Sequence, residues 1–463
     1  MADVDLVINN GTLVTAESEL PGTGVAIDQG LIVEIGRDAT LPSARRRLDA
    51  KGNHILPGVI DDHVHFREPG LTYKEDFGTG TLAAAMGGVT CVCDMPNTRP
   101  PTATAELVRE KQRLAEAHAY VDFGIYGLLA QDNIDELLPM AEAGVVGYKC
   151  YLGETTGNIP APDDGMLFEE LSLISSIGLR AGFHAENNAI MQHYIRKLKA
   201  AGRTDARAHL DSRPAVCEVE AIQRLCLFGQ ETGCKVHVFH LSSPEGLRML
   251  LDWRRRGVDV TCETGPHYCF LPSDIYERVG SVTRMNPPVR DGGSALLDGL
   301  VRGDVDCIAT DHSPHTPEEK LHEDIWQAVS GFVGVETSVQ LFLSEAVNAG
   351  KMTLPQFVRA SSTNVAGAWD MSTKGQLAPG FDGDVAIVDL KLEWVLDANK
   401  LHSRNHVTPF DGWRGRGLAV ATVVRGQVMV EDGQLVGEAH GRMVRPVPSP
   451  ARGGRGEVMA CRR

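Results

Sequence analysis

The sequence predicts an α/β protein, a (β/α)8 TIM barrel with a small β-sandwich domain built from both chain ends. Eight short apolar runs recur through the middle of the chain, and amphipathic helical segments separate them. Short β-rich segments flank this region on both sides. We therefore place the composite β domain at residues 1–55 plus 375–445, the catalytic barrel at 56–374, and a disordered tail at 446–463.

The eight runs are almost continuously apolar, as parallel strands covered by helices on both faces should be. An open doubly wound sheet is the alternative fold, but it would require a glycine-rich phosphate-binding turn after the first strand. The first run ends instead in His63-Val64-His65, so a closed barrel is favoured. The runs span residues 58–65, 89–95, 121–129, 145–152, 178–186, 235–242, 258–266 and 306–314.

The two ends of the chain have a different pattern. Residues 5–9 and 31–35 are short, apolar and bounded by turn residues, as strands of a β domain are. Similar segments return at 384–389, 418–424 and 427–431. We expect the two ends to pair into one small β domain.

Composition and charge restrict the classes of partner. The chain has 463 residues and a formal net charge of −16, which argues against nucleic acid or an anionic membrane surface. No apolar run reaches the roughly 18 residues that span a bilayer, and the N-terminus lacks the regions of a signal peptide. We therefore expect a cytoplasmic protein with ten reduced cysteines and no membrane partner. The tail is rich in Pro, Gly and Arg, a composition typical of disorder.

Residues able to bind metal ions stand at the ends of five predicted strands. In a barrel of this kind, chemistry lies at the carboxyl ends of the strands. His63 and His65 are two positions apart on one strand, so both rings point to the same face and can reach one metal ion. A single buried histidine is usually a hydrogen-bonded core residue, but a whole set on one rim indicates a metal site. The set is His63, His65, Lys149, His184, His240 and Asp311.

Lys149 lies inside an apolar strand, where a bare ammonium would be costly. An ammonium cannot bind a metal ion, but the carbamate formed with carbon dioxide can bridge two of them. Four histidines and an aspartate suit zinc or a similar ion, with manganese and cobalt as alternatives. Two such ions can share a water and lower its pKa, and Asp311 can then carry the proton to a leaving nitrogen. The sequence thus predicts two divalent metal ions, N6-carboxylysine at Lys149, and hydrolysis of an amide.

Four motifs resemble those of the cyclic amidohydrolases, which include dihydroorotases, allantoinases, hydantoinases and dihydropyrimidinases. The resemblance covers nearly the whole chain. Residues 63–70 (HVHFREPG), 94–101 (DMPNTRPP) and 311–320 (DHSPHTPEEK) are similar to dihydroorotase motifs. Residues 149–155 (KCYLGET) resemble the motif of the carboxylated-lysine type of that enzyme.

The resemblance implies a role for each residue of the predicted site. One metal ion would be held by His63, His65, carboxylated Lys149 and Asp311, and the other by Lys149, His184 and His240. A carboxylate of the substrate would be bound by Arg67, Asn97 and His315, Thr155 would lie on a loop over the substrate, and Asn286 would hold the ring. A homo-oligomer, dimeric or tetrameric, is implied as well.

The leading interpretation is a dihydroorotase of pyrimidine biosynthesis, which interconverts L-dihydroorotate and N-carbamoyl-L-aspartate. The alternative is an allantoinase or hydantoinase acting on a five-membered ureide ring, because residues 212–221 and 241–246 resemble those enzymes more closely. Val333, where dihydroorotases usually carry proline, points the same way. A third possibility is a metal-free scaffold relative, but all six metal-ligand positions are intact.

Overall fold

The computed structural model describes residues 3–154, 156–157 and 159–448, and its main strands form three sheets. Thr155 and most of the predicted tail lie outside the described residues. In chain order the strands are β1 (Val4–Asn9), β2 (Thr12–Val14), β3 (Glu19–Pro21), β4 (Thr23–Asp28), β5 (Leu31–Arg37), β6 (Ala44–Asp49), β7 (His54–Pro57), β8 (Val59–Val64), β9 (Val89–Asp94), β10 (Asp122–Leu128), β11 (Gly147–Tyr151), β12 (Arg180–His184), β13 (Lys235–Val238), β14 (Val260–Thr264), β15 (Cys307–Ile308), β16 (Val385–Val395), β17 (Arg414–Val424), β18 (Gln427–Glu431) and β19 (Gln434–Leu435).

Strands β8 to β15 form the barrel, each hydrogen-bonded in parallel to the next along the chain. A parallel bridge between Val64 and His312 brings the chain beyond β15 back to β8. The eight strands fall within the eight predicted runs, and the predicted (β/α)8 barrel is confirmed. The last strand is shorter than expected, because Thr310 turns to donate a hydrogen bond to Asp61 and Asp311 has a φ of 49°. Residues 309–314 are therefore a loop on the rim.

Helices follow the barrel strands and cover the outside of the barrel, as the alternation of apolar runs and helical segments predicts. They are α1 (Phe77–Met86), α2 (Ala105–His118), α3 (Leu137–Ala143), α4 (Asp164–Ile177), α5 (Asn188–Ala200), α6 (Arg207–Ser212), α7 (Val216–Thr232), α8 (Pro244–Arg255), α9 (Pro266–Phe270), α10 (Ile275–Val279), α11 (Gly293–Arg302), α12 (Pro317–Lys320), α13 (Ser338–Phe342), α14 (Leu354–Val358) and α15 (Asn364–Ala368). Short 3-10 turns span Ile134–Glu136, Gly280–Thr283 and Ala398–Lys400, and π-helical turns span Leu343–Asn348 and Arg359–Thr363. In the described part of the chain, no helix is both long and apolar enough to cross a membrane.

Strands from both chain ends form the other two sheets. One sheet has the order β5-β4-β1-β6, and the other has the order β19-β18-β17-β16-β7-β2-β3. The two ends meet where β7 pairs antiparallel with β16, with Ile55 opposite Ile387. The predicted sheet domain built from both ends is confirmed, whereas its boundaries at residues 55 and 375 stay a prediction.

A buried ion cluster joins this β domain to the barrel. The Lys374 ammonium lies 2.5 Å from Asp122 of β10, and 2.6 and 2.9 Å from Asp384 and Asp382, which precede β16. Lys374 is only 3% exposed, and Asp384 and Asp382 help to raise its pKa against the effect of burial. The cluster fixes the β domain against the barrel wall without approaching the barrel rim.

Candidate metal centre

The six predicted metal ligands converge in one cavity at the carboxyl ends of the barrel strands. His63 lies in β8, Lys149 in β11 and His184 at the end of β12. His65, His240 and Asp311 follow β8, β13 and β15 in the chain. All six are buried, and all six line the same cavity.

Three of these residues form one group of donor atoms. The Nε2 atoms of His63 and His65 lie 3.3 and 3.0 Å from Asp311 Oδ1. The three ligand atoms lie within 4.8 Å of one another, as the ligands of a single ion must.

His184 and His240 form a second pair beside the first group. His184 Nδ1 and His240 Nε2 face each other at 2.9 Å. The rings of His63 and His240 have centroids 5.3 Å apart, so the two groups are neighbours. Two adjacent groups of nitrogen and oxygen donors fit a pair of divalent cations.

Lys149 stands between hydrophobic rings at the floor of this cavity. Its Nζ is buried, has no hydrogen-bond partner among the described residues, and lies 3.8 Å from the centroid of the Phe239 ring. Burial lowers the pKa of Lys149 from 10.5 to about 7, although Glu263 and Asp311 oppose the shift. An orphaned nitrogen with a substantial uncharged fraction near neutral pH fits the predicted carbamate.

Three of the four histidines are oriented through their second ring nitrogen. His63 Nδ1 lies 2.5 Å from Glu263 Oε1, and His65 Nδ1 donates to Asn97 Oδ1 at 2.6 Å. His184 Nε2 lies 2.9 Å from Glu186 Oε2, in an alignment too poor for a hydrogen bond, so that contact is electrostatic. The hydrogen bonds of His63 and His65 fix their tautomers and leave the other nitrogen of each ring free to bind a metal ion.

Strained backbone marks three positions on the rim. Arg67, His240 and Asp311 have φ values of 63°, 41° and 49°, in the left-handed region that costs a non-glycine residue roughly 1–3 kcal/mol. Residues held in this way cluster at functional sites, where surrounding contacts determine their conformation. All three belong to the set of predicted site residues.

The structure brings Arg67 and His315 together behind the cavity, but neither residue lines it. The Arg67 guanidinium donates to Ser313 Oγ and lies 3.2 Å from His315 Nε2. His315 Nδ1 accepts from Lys74 Nζ at 3.1 Å, so its Nε2 carries the hydrogen and donates to the Ser330 carbonyl at 3.0 Å. Both nitrogens of His315 are thus engaged by the protein.

The other two predicted substrate residues that the structure describes line the cavity itself. Asn97 accepts from His65 and donates through Nδ2 to the Thr156 carbonyl at 3.2 Å. Asn286 accepts from Ser330 Oγ at 3.2 Å. Their substrate roles, like that of Thr155 outside the described residues, stay predictions.

Sequence reasoning missed several residues around the cavity. Tyr151, Ser313 and Ser330 line it, and Tyr151 is two positions after Lys149 on β11, which places both on one face. Glu263 and Glu186 are buried carboxylates beside histidines of the site. A glutamate inside the apolar run 258–266 is costly to bury unless it is paired, and that signal could have identified Glu263.

Comparison with known proteins agrees with this geometry. The Amidohydrolase family model matches residues 54–429. An allantoinase of Rubrobacter xylanophilus is 37% identical over 96% of this chain and 98% of its own. An allantoinase of Deinococcus radiodurans is 36% identical over 96% and 99% of the two chains. The solved structure of an L-hydantoinase (dihydropyrimidinase) from Arthrobacter aurescens has a TM-score of 0.92 at 34% identity, covering 96% of this chain and all of the other.

The chain belongs to the amidohydrolase family, and within it to the cyclic amidohydrolases. It is an enzyme that hydrolyses carbon–nitrogen bonds in cyclic amides. The predicted family is confirmed. The relatives support the alternative reading, allantoinase or hydantoinase, better than they support dihydroorotase.

Proposed function

We propose that this enzyme opens a five-membered cyclic ureide, the class of ring that includes allantoin and hydantoin. The observation that carries the proposal is the lining of the cavity, which is uncharged apart from the proposed metal ligands. Uncharged donors and acceptors suit the carbonyl and N–H groups of a neutral ring, and the names of the relatives support the same class. The uncharged side chains of the lining are Asn97, Tyr151, Thr156, Asn286, Ser313 and Ser330.

The carboxylate pocket predicted from the sequence is disfavoured because two of its residues, Arg67 and His315, do not line the cavity. Both nitrogens of His315 have protein partners. The Arg67 guanidinium contacts Ser313, which separates it from the cavity. A substrate carboxylate in this cavity would reach Arg67 only if Ser313 moved aside.

The residues of the site divide into metal ligands and a proton carrier. We propose that His63, His65 and Asp311 hold one ion, that His184 and His240 hold the other, and that carboxylated Lys149 binds both. Divalent ions held by these residues would supply Lewis-acid chemistry for the ring carbonyl and for a water. Asp311 would accept the proton of that water and deliver it to the ring nitrogen as the carbon–nitrogen bond breaks.

Carboxylation of Lys149 needs an uncharged amine. The neutral Nζ attacks carbon dioxide, a carbon–nitrogen bond forms, and one proton is released. Burial supplies that amine, because it lowers the pKa of Lys149 to about 7. The negative carbamate would also complement the positive charge of two divalent ions, which a bare ammonium would repel.

The test compares kcat/KM of the zinc-loaded enzyme on allantoin, hydantoin and dihydroorotate. We expect a neutral ring to exceed dihydroorotate by about tenfold or more, since burying a substrate charge without a free partner is costly. If dihydroorotate is preferred by that margin, the proposed substrate class is wrong, although the reaction class stands.

Dihydroorotate is the second candidate, and one observation favours it. Arg67 is 2% exposed, its Nε has no hydrogen-bond partner, and the described carboxylates that act on it, Asp311, Asp94 and Glu319, do so through space and not in an ion pair. A buried cation without a counter-ion can indicate that an anionic ligand supplies the charge. If the substrate is a neutral ring, the hydrogen bond from Arg67 to Ser313 accounts for the buried position of the guanidinium instead.

Replacing Arg67 separates the two candidates. Arg67→Met should lower kcat/KM for dihydroorotate alone by about 30-fold or more if the guanidinium pairs with its carboxylate. A similar change for every ring is expected if the substrate is neutral. Lys74→Met is the matched control, because Lys74 is a buried cation in the same cluster, already paired with Glu319 at 2.9 Å.

Several finer expectations stay predictions alongside this proposal. They are the identity of the metal as zinc, the closing role of Thr155, a dimeric or tetrameric assembly, and a cytoplasmic location. Metal analysis of the purified enzyme and its mass in solution would test the first and third.

A further inference from the structure

Glu263 occupies a central position beneath the proposed metal centre. It lies in β14, a barrel strand to which no site residue was assigned from the sequence, and its side chain is 1% exposed. Its carboxylate points across the barrel toward β8 and toward the loop after β13. A carboxylate buried so deeply must be compensated by hydrogen bonds or charges.

One oxygen of this carboxylate contacts two proposed metal ligands. Glu263 Oε1 lies 2.5 Å from His63 Nδ1 and accepts from the backbone N–H of His240 at 3.0 Å. The first contact holds the His63 ring with Nε2 directed at Asp311. The second helps to hold the backbone of His240, whose φ is 41°.

Glu263 therefore differs from the other residues that orient ligands. Asn97 contacts only His65 among the proposed ligands, and Glu186 contacts only His184. Glu263 is connected to a ligand from each of the two proposed groups. Its second oxygen lies 3.3 Å from His237 Nε2, which leaves Oε1 to the two ligands.

We propose that Glu263 is a positioning residue that sets the relative placement of His63 and His240, and with it the affinity of both metal sites. The inference rests on the proposed binuclear centre. A carboxylate that accepts from a ligand histidine fixes its tautomer and makes the metal-binding nitrogen more basic. Because Glu263 also holds the N–H of His240, its loss should weaken both sites together.

The alternative is that Glu263 only stabilises the barrel interior. Metal affinity and the spectrum of the bound metal distinguish a positioning role from a purely stabilising one, because a purely stabilising residue could be replaced without changing either measurement. Glu218 offers a matched control: it is 1% exposed, accepts from Ser242 and Ser243, and has no described hydrogen bond or ion pair to a proposed ligand. Glu218→Gln therefore removes an equally buried carboxylate elsewhere on the same rim.

The experiment loads the full-length enzyme and its variants with Zn²⁺ or Co²⁺ in competition with a chromophoric chelator. For Glu263→Gln we expect both apparent metal affinities to fall by about 10- to 100-fold, with a shift in the visible absorption of the cobalt form. Glu218→Gln should retain wild-type affinity and spectrum. Glu263→Asp keeps the charge but withdraws the carboxylate by one methylene, so it should also weaken both metal sites. This variant replaces Glu263→Gln in the experiment if Glu263→Gln does not fold.

Two outcomes would overturn the inference. If Glu263→Gln lowers only the unfolding midpoint and keeps wild-type affinity and spectrum, Glu263 has no positioning role while the metal centre stands. If the wild-type enzyme itself binds neither ion, the proposed centre fails and the inference fails with it. The wild-type titration alone tells these two results apart.

Discussion

Replacing Lys149 should make the metal-free protein more stable, whereas replacing a second buried lysine should make it less stable. Lys149 and Lys111 are both completely buried. Lys111 is paired with Asp94 and donates to the Met95 carbonyl at 2.8 Å, while Lys149 Nζ faces the Phe239 ring and has no hydrogen-bond or ion-pair partner among the described residues. Methionine approximates the volume of either side chain and carries no charge.

The magnitude follows from the pKa of Lys149. Burial lowers that pKa from 10.5 in a solvated lysine to about 7. A tenfold change in an equilibrium constant is worth about 1.4 kcal/mol, so Lys149 opposes folding by about 5 kcal/mol at pH 7. Lys149→Met should therefore raise the free energy of unfolding by most of this amount. Lys111→Met should lower the free energy of unfolding by about 3–5 kcal/mol, because it leaves Asp94 buried and without its counter-ion.

The sign of the pH dependence is fixed by which state holds the proton. Between pH 7 and 10.5 the unfolded chain still binds a proton at Lys149 that the folded protein has lost, so the stability of the wild type rises with pH. The advantage of Lys149→Met should therefore be fully present below pH 7, begin to shrink at about pH 7, and approach zero near pH 10.5.

The assay is urea unfolding in chelator and carbon-dioxide-free buffer, at pH 7 and at pH 10, followed by tryptophan fluorescence. Trp369, one of the five tryptophans, stacks on Phe239, the ring that also contacts Lys149, so part of the signal comes from this part of the barrel. A metal-free Lys149→Met protein that is no more stable than the wild type at pH 7 would refute the reasoning. With zinc and bicarbonate the order should reverse, because only the wild type can form the bridging carbamate and gain stability from bound metal.

Two further predictions concern the proton carrier and the joint between the domains. Asp311→Asn should lower kcat by about 10²–10⁴-fold, the usual contribution of a general acid–base group. Metal analysis of this variant should still find bound metal. Turnover within a factor of about two of the wild type would exclude Asp311 as the proton carrier. Lys374→Met should lower the free energy of unfolding by about 3–5 kcal/mol in urea titrations, because Asp122, Asp382 and Asp384 lose their shared counter-ion. The paired surface lysine Lys51 is its control, since Lys51→Met should change stability by less than about 1 kcal/mol.

The sequence alone determined the barrel and the set of proposed ligands. Strands buried on both faces need continuous apolar runs, and the polar residues that interrupt or end those runs stand out because their burial is costly. His63, Lys149 and His184 were identifiable for that reason, and strand periodicity placed His63 and His65 on one face. The pairing of the chain ends was also predictable, because short β segments recur at both termini.

Only the tertiary structure decided how these side chains are connected. Glu263 and His63 are 200 residues apart in the chain, and their contact depends on rotamers and on the closure of the barrel. The same is true of His315, whose motif predicts a substrate donor but whose nitrogens are engaged by Lys74 and Ser330. A motif specifies which residue types are present, whereas hydrogen-bond satisfaction in a packed interior decides which of their atoms remain free for a substrate.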